Sequence, residues 1–172
     1  DAANSANVLA TRSALLQRDG DIVSTDGASA VGFALGSGNY FVCVRHRNHL
    51  GVMTAAPVAL GAAPTSLDLS TATLFGTEPR KSVTGAFPRQ VLWAGDVSFN
   101  GQLKYVGDSN DRDPILLRIG GTTPTATATG YFIEDINLDG SVKYVGSDND
   151  RDPILQNVGG TIPTNIRTEQ LP

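Results

Sequence analysis

Residues 135–155 read DINLDGSVKYVGSDNDRDPIL, and residues 96–116 nearly repeat them as DVSFNGQLKYVGDSNDRDPIL, an offset of 135 − 96 = 39 residues. In the later copy Asp135, Asn137 and Asp139 carry oxygen at alternate positions, and Gly140 follows with a sharp bend. A tight turn of this kind points the three side chains at one centre. An all-oxygen donor set there suits a hard cation, calcium above all.

The backbone carbonyl of Ser141 then completes the set, as position 7 does in an EF-hand loop. Positions 9 and 12 of that loop fall on Lys143 and Gly146, and neither can close a site. The closing carboxylates are therefore expected late, at Asp150 and Asp152, with Asp148 as the alternative. The first copy offers Asp96, Ser98, Asn100, the carbonyl of Gln102, Asp111 and Asp113. It has fewer carboxylates in its early half, so the weaker of two calcium ions is expected there. Without an ion, each close pair of carboxylates costs about 1 kcal/mol in water and about 4 kcal/mol at an effective dielectric of 20. The ion-free loops are expected to loosen.

The arrangement resembles the dockerin-type calcium repeat, an EF-hand loop without its entering helix. Asp135, Asn137, Asp139 and Gly140 carry the resemblance well, Ser98 and Asn100 less so. The longer insertion, with its KYVG and NDRDPIL wording, is similar to a variant near the C-termini of large secreted bacterial surface proteins. The resemblance implies an extracellular setting and a pair of calcium-loop and short-helix repeats over 93–172. Dockerins pair with cohesins, but no recognition residues for that partner are evident in the helices of this chain.

Upstream, short apolar runs alternate with turn clusters such as Asp19-Gly20, Asp26-Gly27 and Gly36-Ser37-Gly38. Strands of this length with turn signals about every eight to twelve residues predict a mainly β protein whose residues 1–92 form an immunoglobulin- or transthyretin-like sandwich. Within the repeats, Asp113-Pro114 and Asp152-Pro153 read as N-cap and first residue of a short helix, and Gly120-Gly121 and Gly159-Gly160 as its stop. Trp93 reads as a packing anchor between the sandwich and the repeats. Lys104 and Lys143 are expected to offset loop acidity, Tyr105 and Tyr144 to cover the helices, and Arg112 and Arg151 to hold carboxylates.

Lys and Arg number 13 against 17 Asp and Glu, for a net charge of −4. The excess lies in residues 91–172, with eleven acidic against six basic side chains. That sign argues for cations and against nucleic acid as partners. Cys43 is the only cysteine, which excludes an intrachain disulfide and a cysteine-based zinc site. It reads as a small buried apolar residue in an alternating run. His46 and His49 read as polar residues at a strand end whose side chains diverge. No run reaches the length of a membrane span. The start at Asp1, with no initiator Met or signal peptide, reads as a mature, processed chain.

Together these readings predict a non-enzymatic, calcium-stabilised structural protein of a bacterial surface assembly, self-associating into a filament through strand or terminus exchange. The alternative is a calcium-dependent adhesion or docking module for a protein or glycan.

Overall fold

A computed structural model describes residues 1–172. The elements in order are β1 (Leu15–Leu16), β2 (Ile22–Val23), β3 (Gly38–Tyr40), β4 (Cys43–His46), β5 (His49–Met53), β6 (Val58–Leu60), β7 (Lys81–Val83), β8 (Arg89–Val91), β9 (Gln102–Lys104), α1 (Arg112–Arg118), β10 (Thr127–Thr129), β11 (Ser141–Lys143), α2 (Arg151–Val158) and β12 (Ile166–Thr168). The chain is mainly β, built of small antiparallel pairs with two short helices. Every sheet has two strands: β1 with β2, β3 with β6, β4 with β5, β7 with β8, β9 with β12 and β10 with β11.

Two compact units divide the chain. The first comprises Asp1–Val42, Thr54–Leu74 and Pro172. It holds β1, β2, β3 and β6, and its only buried residues are Thr54 and Leu74, while Val8, Leu9, Leu15, Leu16, Phe33 and Leu35 stand exposed. Isolated two-stranded ladders are marginal in water, because they bury too little apolar surface to offset chain entropy.

The second unit comprises Cys43–Met53 and Phe75–Leu171, so the β4–β5 hairpin belongs with the repeats. Its core is made twice over by the duplication. Val97 and Ile136, Leu103 and Val142, and Ile115 and Ile154 are 39-residue equivalents, and all six are buried. Leu103, Val142, Ile115 and Ile154 are fully so, each at 0% exposure. Tyr105 and Tyr144 pack against this cluster.

The strands show how the copies close each other. β12 is the 39-residue equivalent of β10, yet it pairs with β9 of the first copy, Ile166 opposite Lys104 and Thr168 opposite Gln102. β10, which follows the first copy, pairs with β11 of the second, Thr127 opposite Lys143 and Thr129 opposite Ser141. Each copy thus lends a strand to the other. Neither can complete its ladder alone, since an unpaired strand would leave its amides and carbonyls unsatisfied.

The helices each begin two residues earlier than the sequence suggested. Asp111 and Asp150 occupy the N-cap positions without a side-chain cap bond, so Asp113 and Asp152 lie in the first turn rather than at the cap. The capping oxygen comes from Asn110 and Asn149. Asn110 Oδ1 accepts from the amides of Arg112 at 3.1 Å and Asp113 at 2.9 Å. Asn149 Oδ1 accepts from Asp152 N at 2.9 Å. Asparagine is as good a cap as aspartate, which frees the following carboxylate for other work. Gly159, at φ 127°, forms the C-cap of α2, where a residue with a Cβ would be strained.

Candidate metal centre

Each loop is drawn tight by its own carboxylates. Asp135 Oδ1 accepts from Asp139 N at 3.1 Å and Oδ2 from Gly140 N at 3.1 Å. Asn137 Oδ1 accepts from Asp139 N at 2.9 Å, and Asp139 Oδ1 from Ser141 N at 2.8 Å. In the first copy Asp96 accepts from Asn100 N at 3.0 Å and Gly101 N at 2.9 Å, and Asn100 Oδ1 from Gln102 N at 2.9 Å. Side-chain oxygens bonded to amides further along the same turn curl the backbone around the side chains. Phe99 (φ 54°) and Leu138 (φ 62°) take the left-handed backbone that this curl demands at equivalent positions.

The late carboxylates return to the loop. Asp150 Oδ1 accepts from Ile136 N at 2.7 Å, and Oδ2 from Lys143 N at 2.8 Å. Asp111 Oδ1 accepts from Ser98 N and Ser98 Oγ, both at 3.0 Å, and Oδ2 from Lys104 N at 2.8 Å. Both aspartates are 0% exposed. The sequence therefore brings Asp150 to Asp135 and Asp111 to Asp96 across the insertion.

Asp113 and Asp152 are engaged elsewhere. Asp113 Oδ2 accepts from Asn110 Nδ2 at 2.9 Å while Oδ1 lies 3.2 Å from Arg112. Asp152 Oδ2 accepts from Asn149 Nδ2 at 2.8 Å, with Oδ1 3.5 Å from Arg151. Their role in holding helix starts and arginines is visible; a contact with the loop centre is not. Asp148 contributes its backbone carbonyl to Asn137 Nδ2 at 2.9 Å.

The carbonyls of Gln102 and Ser141 follow from ladder alternation. Glu169 N donates to Gly101 O at 2.7 Å, and Gly130 N to Gly140 O at 3.0 Å, so positions 101 and 140 are hydrogen-bonded to the partner strands. The next residues, Gln102 and Ser141, then face away from those strands. Lys104 O and Lys143 O lie on that same side, accepting Asp111 N at 2.8 Å and Asp150 N at 2.9 Å.

Electrostatically the loops are unbalanced. Burial raises Asp111 to about 6 against the pull of its amide donors, with the Asp96 charge adding to the rise. Burial likewise raises Asp150 and Asp96, with Asp135 and Glu169 respectively adding their charges. No three His, Cys, Asp or Glu side chains are grouped as a ready-made metal centre. The oxygens that the two loops offer are carboxylate, amide, hydroxyl and carbonyl, all hard, and the desolvated aspartates would be stabilised by a cation. In donor chemistry the residues suit calcium. Asp96, Ser98, Asn100, Gln102 and Asp111 would hold one ion and Asp135, Asn137, Asp139, Ser141 and Asp150 the other.

Several surrounding residues escaped the sequence reading. Asn48, 0% exposed, donates Nδ2 to Ile133 O at 2.8 Å and Asp135 O at 2.7 Å. Asn157 Nδ2 does the equivalent for Ala94 O at 2.7 Å. Arg47 Nη2 stands 3.6 Å from Asp135 Oδ2, its guanidinium 3.8 Å from the Tyr131 ring centre. Arg118 forks onto Glu134, both bonds at 3.0 Å. No spacing rule singles these out; only the buried position of Asn48 in the turn of the β4–β5 hairpin explains it.

His46 and His49 face each other across that turn, Nδ1 to Nδ1 at 2.8 Å, and so converge rather than diverge. His49 Nδ1 also meets Asn48 Oδ1 at 2.8 Å, which places its proton between the two acceptors. Cys43 is exposed, not buried, because β4 offers that side of the hairpin to solvent. Trp93 packs with Leu50, Leu103 and Val158, its ring under Arg167 at 3.5 Å, which makes it an anchor within the repeat unit.

Comparison with protein-family models, with curated proteins and with solved structures finds no match to this chain.

Proposed function

We propose that the chain is a calcium-stabilised structural part of an extracellular bacterial surface assembly, with two dockerin-like repeats that each take one ion. One observation carries this reading: both copies curl the backbone around side-chain oxygens and bring a buried carboxylate back from the helix start, Asp111 to the loop of Asp96 and Asp150 to that of Asp135. The strand exchange between the copies ties both loops into one core, so an ion in either loop stabilises the whole unit. A site wired this way serves rigidity rather than the opening of a groove. If calcium stands a hundredfold above the dissociation constant, each ion contributes about 2.7 kcal/mol.

The first unit supports the self-association part of the proposal. Its short ladders leave strand edges open and apolar side chains such as Val8 and Leu16 exposed, the features through which copies add to one another. In this reading residues 1–92 complete their sandwich in the assembly. The test is a melt with calcium and with excess chelator, beside negative-stain microscopy at high concentration. A raised melting temperature and polymers that loosen on chelation are expected; an unchanged melt overturns the calcium role, and a strict monomer in calcium favours an adhesion or docking module.

A further inference from the structure

The side chains that flank the two loops are opposite in charge. Beside loop 2 (residues 135–150) stands Arg47, Nη2 3.6 Å from Asp135 Oδ2. Its Nε and Nη1 are buried with no hydrogen-bond partner, and the Asp135 side chain is 3% exposed. Beside loop 1 (residues 96–111) stands Glu169, whose amide donates to Gly101 O at 2.7 Å and whose charge reaches Asp96. The 39-residue equivalent of Glu169 is Gly130, which donates to Gly140 O at 3.0 Å and brings no charge. None of the ion pairs in the structure involves Asp96 or Asp111.

Loop 2 therefore has an extra carboxylate, Asp139 against Asn100, and an extra cation, Arg47, since Lys143, 3.7 Å from Asp139, has its equivalent in Lys104, whose Nζ donates to Asp108 O in loop 1. Loop 1 has one carboxylate fewer of its own and a neighbouring one on loan from the exit of β12. Glu169 is fixed there by Gly51 N at 2.7 Å and Arg45 at 2.9 Å, and the Arg45 side chain is 49% exposed against 16% for Arg47, so solvent screens the charge of Arg45 better.

We propose that the two loops are unequal calcium sites whose order is set from outside them, Arg47 weakening loop 2 and Glu169 strengthening loop 1, so that loop 1 fills first. This reverses the order that counting carboxylates within each loop suggests. It rests on the calcium reading above. A divalent ion coordinated by Asp135 comes within roughly 6 Å of the guanidinium, and repulsion at that range weakens binding about tenfold even in the dielectric of water.

The amides of Gly101 and Gly140 report each site separately, because each donates to the first aspartate of its loop. Calcium titration of the full chain at low ionic strength, followed at these two amides by NMR, is the test. In the wild type the Gly101 signal is expected to complete its shift at lower calcium than Gly140. Arg47→Gln lowers the Gly140 midpoint about tenfold and leaves Gly101 in place; Glu169→Gln raises the Gly101 midpoint several-fold and leaves Gly140 in place. Arg47→Lys, which keeps the charge, holds the Gly140 midpoint near the wild type and separates charge from packing. Gly140 saturating first, or its midpoint failing to fall in Arg47→Gln, overturns the proposal while leaving calcium binding intact. If Arg47→Gln does not fold, Glu169→Gln decides, an unmoved Gly101 midpoint being the overturning result. Neither amide responding to millimolar calcium in the wild type overturns the calcium reading and this inference with it.

Discussion

The side-chain amide of Asn48 donates to the carbonyl of Asp135 at 2.7 Å, across 87 residues of sequence. The same nitrogen reaches Ile133 O at 2.8 Å, and the Asn48 carbonyl accepts from Gly95 N at 2.8 Å. One turn residue thus fixes the entrance of both loops.

Replacing Asn48 by Ala would orphan two buried carbonyls and leave a void, at about 1–3 kcal/mol for each unsatisfied group. Asn48→Asp is the sharper variant, because it puts oxygen against oxygen. Both are expected to lower the denaturation midpoint, Asp more than Ala, and to lower calcium affinity at loop 2, while the backbone bond from Gly95 N to Asn48 O keeps the entrance of loop 1. Equal midpoints for the wild type and Asn48→Asp would show that this turn does not position the loops.

Asp111 and Asp113 differ by two positions but should differ widely in consequence. Asp111→Ala removes the acceptor of two backbone amides and the Ser98 hydroxyl from a fully buried place, and several kcal/mol of stability should go with it. Asp113→Ala loses a partly exposed pair with Arg112 and one bond from Asn110, worth about 1 kcal/mol in all. Urea denaturation of the two variants, with and without calcium, checks the ranking. Calcium should still stabilise Asp113→Ala and should do little for the first loop of Asp111→Ala.

The loops were legible in the sequence because their geometry is local: an alternation of oxygens before a glycine bends the chain whatever surrounds it. The return of Asp111 and Asp150 could be read from the need for a closing carboxylate. Asp113 and Asp152 could not be told from them, since capping by Asn110 and Asn149 depends on which of several adjacent Asx residues the backbone presents. The mainly β character followed from short runs between turn residues. The exchange of β10 and β12 did not, because both strands are short, largely exposed triplets, Thr-Ala-Thr and Ile-Arg-Thr, and nothing in them names a partner. Arg47, Asn48 and Glu169 act over distances in sequence that no pattern spans.

The exchange itself predicts the outcome of a truncation. Ending the chain at Asn165 removes β12 and Glu169, which unpairs β9 and strips Gly51 N of its acceptor. The loss should not stay in the second copy, where the cut lies, but should appear first at loop 1. Hydrogen exchange is expected to show Leu103 and Asp111 amides losing protection while Val142, still paired through Ala128, keeps more of its own. The opposite order would mean that strand exchange is not what holds loop 1.

Acid should act on the ion-free protein through opposed groups, of which Asp111 and His49 carry large shifts. Asp111 is raised by burial to about 6 from 3.8, so the folded state holds its proton more tightly than the unfolded chain. Its contribution to stability is present in acid and is lost as pH rises from about 4 through about 6. His49 is lowered by burial, and by the charges of His46 and Arg47, to about 3 from 6.5. Its contribution is present above about 6.5 and is lost as pH falls towards 3. The two slopes oppose each other in the window from 4 to 6, so a bare pH–stability curve would hide both. Asp111→Asn removes only the first. In excess chelator, wild type minus Asp111→Asn should give a stability difference that grows less favourable to the wild type between pH 4 and 6. With calcium the carboxylate must be ionised to bind, and affinity at loop 1 should fall below about pH 6. A difference curve that is flat across this window would show that Asp111 is not held protonated by burial, and that the loop needs no cation to balance it.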